Sequence, residues 1–232
     1  MPYGKIFAAA VGWILILQGS ISLANQNLLA TSSLPTTSML VTAFEPFAGN
    51  FHNKSAETAD ILKRSLQVYL PSIHIEICIL PVEYNRASEK LLSCLSQMSV
   101  PAQRVLSLGE KSTSVVRVET QAANWDNEFR GPDSAGVWRK GSVILPGAPT
   151  SVSLSGYPVD AMMKRIPLAD QLKIVLSSNM DNFVCNNTAF ITEMSLRGRL
   201  PFLFIHVPDG DSQNNDPRES ARLILELAPW QS

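Results

Sequence analysis

From Met39 onward the chain alternates short β-branched runs with stretches of helical period. Met39-Leu40-Val41-Thr42-Ala43 is the first such run, and it opens at once into a Pro/Gly loop, Phe44-Glu45-Pro46-Phe47-Ala48-Gly49-Asn50. Residues 55–69 then set Ala59, Leu62 and Leu66 on one helix face. Residues 74–82 read as a second strand, 85–98 as a helix with Leu91, Leu92 and Leu95 on its apolar side, and 104–108 as a third strand. Val115 to Glu119 is β-branched and ends on a carboxylate. It leads into a long polar loop, 124–133, of a length that is usually functional or disordered inside a domain. Residues 157–166 suit a helix with Pro158 near its first turn, and Leu172 to Leu176 is strand-like. Residues 188–194 again carry a helical apolar face. Phe202-Leu203-Phe204-Ile205-His206-Val207 is a nearly continuous apolar run with one histidine, as in a strand buried on both faces. A polar loop, 209–216, and an amphipathic helix, 218–227, follow. This alternation predicts an α/β fold: a single-domain, three-layer α/β/α sandwich around a twisted, mostly parallel sheet.

The first 38 residues are a different kind of sequence. Lys5 gives a weakly basic start, and Ile6 to Leu17 is apolar but short for a spanning helix. Ser22-Leu23-Ala24 puts small residues where a signal peptidase reads. We expect a signal peptide over 1–24, a flexible leader over 25–38 and the domain over 39–232. The protein would then be exported, periplasmic or secreted, with no stable membrane span once the signal is removed. A translation start at Met39 would instead leave it cytoplasmic.

Composition narrows the partners. A formal net charge of -1, with 45% hydrophobic and 17% charged residues, supports one sizeable core and argues against a polyanion-binding surface. No basic run with interleaved aromatics points to nucleic acid, and no CxxC or HExxH spacing suggests a metal. Three cysteines, Cys78, Cys94 and Cys185, are too few for a disulfide scaffold. In an oxidising compartment Cys78 and Cys94 could pair.

Cys185 has the surroundings of a nucleophile. Asp181 and Asn182 are good N-cap residues, which would place Cys185 in the first turn of the following helix. There the unpaired N–H groups and the helix dipole favour an anion. A cysteine so placed, with a histidine nearby, can fall from a pKa of about 8.5 to roughly 3.5–7.5. The alternative is a small buried apolar cysteine. A thiol nucleophile needs a base and a group to orient that base. His206 and Glu119 each end a strand-like run and could fill those roles, although a lone histidine there is more often a satisfied core residue and an isolated glutamate usually a solvated one.

Several segments add weight because they occur together and in order. They are Leu40-Val41-Thr42-Ala43-Phe44-Glu45-Pro46-Phe47-Ala48-Gly49, Leu80-Pro81-Val82, Val118-Glu119 with Ala122-Ala123-Asn124, Arg130 with Pro132-Asp133, Phe183-Val184-Cys185-Asn186, and Phe204-Ile205-His206-Val207-Pro208. From Met39 to about Val207 the chain thus resembles the pyroglutamyl peptidase I family, the pyrrolidone-carboxylate cysteine peptidases. The resemblance implies removal of an N-terminal pyroglutamate from peptides without metal or organic cofactor. Cys185 would be the nucleophile, His206 the base and Glu119 its orienting group. Arg130 would lie near the oxyanion, and Phe44 and Phe47 would hold the flat lactam. A homo-oligomer is compatible with the family.

The pattern also breaks near the site. The usual glutamine after the third-strand glycine is Glu110, which could take the lactam N–H but would oppose a nearby thiolate. The glycines that commonly follow are Lys111-Ser112-Thr113, and the usual Ala-Gly ahead of the nucleophile is Met180-Asp181. If that glycine supplies a positive φ, an aspartate there is disfavoured. Ala43 and Ala48 replace glycines of the opening loop. These departures leave open a weakly active or inactive relative that acts by binding, or a peptidase with altered N-terminal specificity.

Overall fold

The computed structural model describes residues 37–127, 131–154, 156–209 and 216–231. The expected signal peptide and all but the end of the expected leader, Arg130, and most of the 209–216 loop lie outside them.

Four strands share one direction: β1 (Thr37–Phe44), β2 (Ile73–Leu80), β3 (Arg104–Lys111) and, late in the chain, β10 (Phe202–Pro208). They stand side by side as β2-β1-β3-β10, and the sheet continues with β4 (Val116–Glu119) and β9 (Ile174–Ser177). β4 runs antiparallel to β10 and parallel to β9, so the sheet is mostly parallel, as expected. Residues 112–115 explain the reversal: they are too few for the helical crossover that a parallel return needs. β1 begins at Thr37, two residues inside the expected leader.

Helices cover both faces. α1 (Lys54–Tyr69) and α5 (Pro217–Leu227) pack on one side, where Leu62 and Leu66 of α1 and Leu223 and Ile224 of α5 meet Met39, Val41, Leu203 and Ile205. α2 (Arg86–Gln97) and α4 (Val184–Leu196) pack on the other, where Leu91 and Phe190 meet Leu40, Phe202 and Phe204. The period-2 alternation of β10 sends Leu203, Ile205 and Val207 to the first layer. It leaves Phe202, Phe204 and His206 facing the second. α1 is capped by Asn53, whose side chain accepts from the Ser55 N–H, and α5 by Asp216 with Pro217 in its first turn.

Three local expectations need correction. α3 spans only Val159–Met163, because Pro158 sets its start and Pro167 follows its end. The 124–133 loop is not wholly irregular: it holds β6 (Asp126–Asn127), which pairs with β7 (Lys140–Ser142), while β5 (Gln121–Ala123), just before the loop, pairs with β8 (Ser151–Ser153). The N-cap of α4 is Phe183, with no side-chain cap, rather than Asp181 or Asn182. Packing decides that start: Phe183 lies 5.4 Å from the Phe47 ring and 5.6 Å, edge-on, from Tyr84.

Cys78 of β2 and Cys94 of α2 are joined by a disulfide, and Cys185 is free.

Candidate active site

The sheet register brings the first two side chains together. Glu119 pairs across the ladder with Phe204 on the face that carries His206, and its Oε1 lies 2.8 Å from His206 Nδ1. Arg117 Nε approaches the same oxygen at 3.4 Å. Glu119 is fully buried and His206 nearly so. A ring nitrogen held by a carboxylate carries the proton, which leaves Nε2 as the acceptor.

Cys185 reaches the same point from α4. It stands in the helix's first turn, as expected, because the first intrahelical bond is Asn187 N–H to the Phe183 carbonyl. The N–H groups of Val184, Cys185 and Asn186 therefore have no intrahelical acceptor. Two buried asparagines fix this turn. Asn186 exchanges hydrogen bonds with the Ala123 backbone, and its Nδ2 also donates to the Trp125 carbonyl. Asn187 donates to Asp126 Oδ2 at 2.9 Å and accepts from the Asn85 N–H. Asp126 in turn takes Arg139 at 2.6 Å, and burial raises its carboxyl to about 6 against the pull of both partners.

Gly109 is where sulfur and imidazole meet. It pairs with His206 in the sheet, and a Cβ built there would stand 3.0 Å from Cys185 Sγ, 3.0 Å from His206 Cδ2 and 2.9 Å from Phe204 Cε1. Sulfur and imidazole therefore both border the space that a side chain at Gly109 would fill.

Electrostatics correct one expectation. The thiol is not lowered towards a resting thiolate: burial pushes it up to about 12, and only Lys111 opposes this among the named charges, while Glu119, Asp181 and Glu110 add to it. Desolvation outweighs the helix terminus because removing an anion from water costs more than a partial dipole returns. Burial also holds His206 below its ordinary 6.5, with Glu119 pulling the other way. At neutral pH the resting pair is therefore a neutral thiol beside a neutral imidazole.

Two cavities open on Cys185. The larger, about 660 Å³, is walled by Phe44, Phe47, Val82 and Phe183. The smaller, about 350 Å³, is lined by Asn127, Asn179, Asp181, Asn182 and His206. Glu110, Lys111, Phe183 and Cys185 border both. Phe44 is only 2% exposed and packs on Phe204, so it forms the floor of the larger cavity, while Phe47 and Phe183 form its more open wall. Glu110 reaches the cavities with Oε2 on the Lys54 N–H at the start of α1, and desolvation raises its carboxyl. Asp181 turns instead towards Lys111, 3.1 Å away, at φ +58°. The positive φ inferred from the glycine pattern is present, as it is at Ala48 (φ +55°).

Reading the sequence alone passed over Phe183 as a ring wall, Gly109 as the meeting point, and Asn186 and Asn187 as clamps. It noted Lys111 only as a lost glycine. Reading Lys111 and Asp181 together, as an added cation and an added carboxylate, would have suggested that they pair.

An α/β sandwich with a buried Glu–His pair and a cysteine at a helix start is the architecture of a cysteine peptidase. The chain belongs to the pyroglutamyl peptidase family, whose sequence model matches residues 37–222. It is 29% identical to the pyrrolidone-carboxylate peptidase of Vibrio vulnificus (strain CMCP6) over 192 residues, 81% of this chain and 87% of that one. Against the pyrrolidone-carboxylate peptidase of Gloeobacter violaceus it is 30% identical over 173 residues, 73% of this chain and 80% of the relative. Among solved structures, the pyrrolidone carboxyl peptidase of Thermus thermophilus superposes with a TM-score of 0.68 at 25% identity, covering 82% of this chain and 97% of that one. Pyroglutamyl peptidase I of Bacillus amyloliquefaciens shares the fold with a TM-score of 0.69 at 20% identity, covering 83% and 93%.

Proposed function

We propose that this chain removes N-terminal pyroglutamate from peptides through a thioacyl-enzyme, with Cys185, His206 and Glu119 as the working residues. The observation that carries this reading is the convergence of sulfur and imidazole over Gly109 with Nδ1 held by Glu119. The sulfur attacks the pyroglutamyl carbonyl carbon while its proton passes to His206 Nε2. The C–N bond then breaks, the imidazolium gives that proton to the leaving amine, and water hydrolyses the thioester with His206 again as base. Glu119 keeps the proton on Nδ1 and stabilises the transient imidazolium. The N–H groups at the start of α4 supply the oxyanion donors, each typically worth about 2.7–4 kcal/mol; Arg130 would add to them. The flat lactam would lie in the larger cavity against the Phe47 and Phe183 rings, above Phe44, with Glu110 facing its polar edge.

The purified protein should release amine from a pyroglutamyl amide, and Cys185→Ser should abolish release. Because burial depresses His206, the base stays neutral below its ordinary pKa, so the acid limb of kcat/KM should fall below pH 6.5. The thiol should add no limb in the neutral range. Undiminished turnover by Cys185→Ser would refute the nucleophile assignment.

We also propose export, with residues 1–24 as the signal. A disulfide between Cys78 and Cys94 supports this, since such bonds persist in oxidising compartments and are rare in reducing ones. Expressed in its host, the protein should begin at Asn25 on N-terminal sequencing of the exported fraction. A cytosolic product beginning at Met1 or Met39 would overturn this.

A further inference from the structure

We propose that the Lys111–Asp181 ion pair tunes the chemistry at Cys185: the ammonium stabilises the negative charge that grows during attack, and the carboxylate moderates that effect. The inference rests on the cysteine-peptidase reading above and extends it to two residues that stand where the family pattern is small.

Lys111 is two residues beyond Gly109 on β3, so both present the same face of the sheet, the face on which Cys185 and His206 meet. Its side chain is only 11% exposed, an uncommon position for an ammonium unless it is paired. Nζ donates to the Asn179 carbonyl at 3.1 Å and lies 3.1 Å from Asp181 Oδ2. A lysine has three donors, and among the described residues no third acceptor is bonded to this one. That remaining donor belongs to a group bordering both cavities that open on the sulfur.

Asp181 is held in the left-handed region, disfavoured for a residue with a Cβ, while its N–H donates to Asn179 Oδ1 at 3.0 Å. Asn179 thus gives its carbonyl to Lys111 and its side chain to Asp181, and the loop before α4 is pinned to the end of β3. The charges acting on Cys185 are Lys111 and Glu110 from β3, Glu119 from β4 and Asp181 from the loop before α4, with the neutral His206 from β10 beside them. Lys111 alone of these favours an anion at sulfur, and Asp181 works against it. Removing each should therefore act in opposite directions, which a purely structural role would not produce.

The test uses the full chain and two readouts: iodoacetamide alkylation of Cys185, followed by mass spectrometry, and the kcat and KM for a pyroglutamyl amide. Lys111→Met should slow alkylation about tenfold, the effect of one pKa unit on the thiolate fraction. It should lower kcat by a similar factor with little change in KM. Lys111→Arg should restore most of both. Asp181→Asn should speed alkylation. Parental alkylation by a folded Lys111→Met, or slower alkylation by Asp181→Asn, would overturn the proposal. If Lys111→Met does not fold, the Arg and Asn variants decide, because their predicted responses remain opposite to those of a structural defect. A parent that alkylates as described but turns nothing over would fail the functional reading and leave this one standing; normal turnover with unmoved alkylation would do the reverse.

Discussion

Gly109→Ala should lower kcat/KM for a pyroglutamyl amide by about two orders of magnitude, the usual consequence of a displacement near 1 Å in a catalytic pair. The added methyl meets three groups at 2.9–3.0 Å: the Phe204 ring, the Cys185 sulfur and the His206 ring edge. Phe204 is fully buried in the second core layer and has little room to retreat. His206 is tied to Glu119 at 2.8 Å, and the first turn of α4 is clamped by Asn186 and Asn187. Whichever side gives way, the sulfur-to-imidazole approach lengthens or is blocked. Overpacking of this kind costs about 1–3 kcal/mol of stability, which a domain of this size can tolerate. The expected result is a folded protein with a parental circular-dichroism spectrum and a collapsed kcat. Turnover within a few-fold of the parent would mean that Gly109 does not set the spacing of nucleophile and base.

Reducing the Cys78–Cys94 bond should destabilise the domain by about 3 kcal/mol, the chain-entropy value for a closed loop near 15 residues. The bond ties β2 to α2, and the cysteines are separated by 16 in sequence. For a domain of 150–250 residues, about 2–4 °C of Tm per kcal/mol turns this into a fall of roughly 6–12 °C. Urea midpoints measured with and without reductant, in a Cys185→Ser background that removes the free thiol, would read it directly. Coincident oxidised and reduced midpoints would show that the bond contributes nothing to the folded state. Such a result would also weaken the export argument, since a bond with no stabilising role gives no reason to favour an oxidising compartment.

The two experiments address different layers of the same molecule. The disulfide sits between an edge strand and the helix that packs beside α4, whereas Gly109 lies in the middle of the sheet beneath the cavities. One reads how the second helical layer is held, and the other how closely that layer brings Cys185 to the strand carrying His206.

The linear chain determined the elements and offered the candidate reactive groups. Hydrophobic period alone located the strands around residues 40, 77, 106 and 205 and the helices between them, because burial on a sheet face or helix stripe leaves a repeat of 2 or 3.6 in the sequence. His206 and Glu119 were legible as candidates because each ends a strand-like run, Cys185 because it stands at a helix start, and all three because the family motifs surround them. What only the tertiary structure decided depends on contacts between residues far apart in sequence. The charge of the thiol is one case. Local rules at a helix start favour an anion, but desolvation is set by everything packed around the sulfur, and it pushes Cys185 up to about 12. The start of α4 is another, fixed by Phe183 lodging between Phe47 and Tyr84 rather than by the better-capping Asp181. Asp181 reads in the sequence as a disfavoured replacement of a glycine; folding brings Lys111 to 3.1 Å from it and turns two apparent losses of glycine into one ion pair.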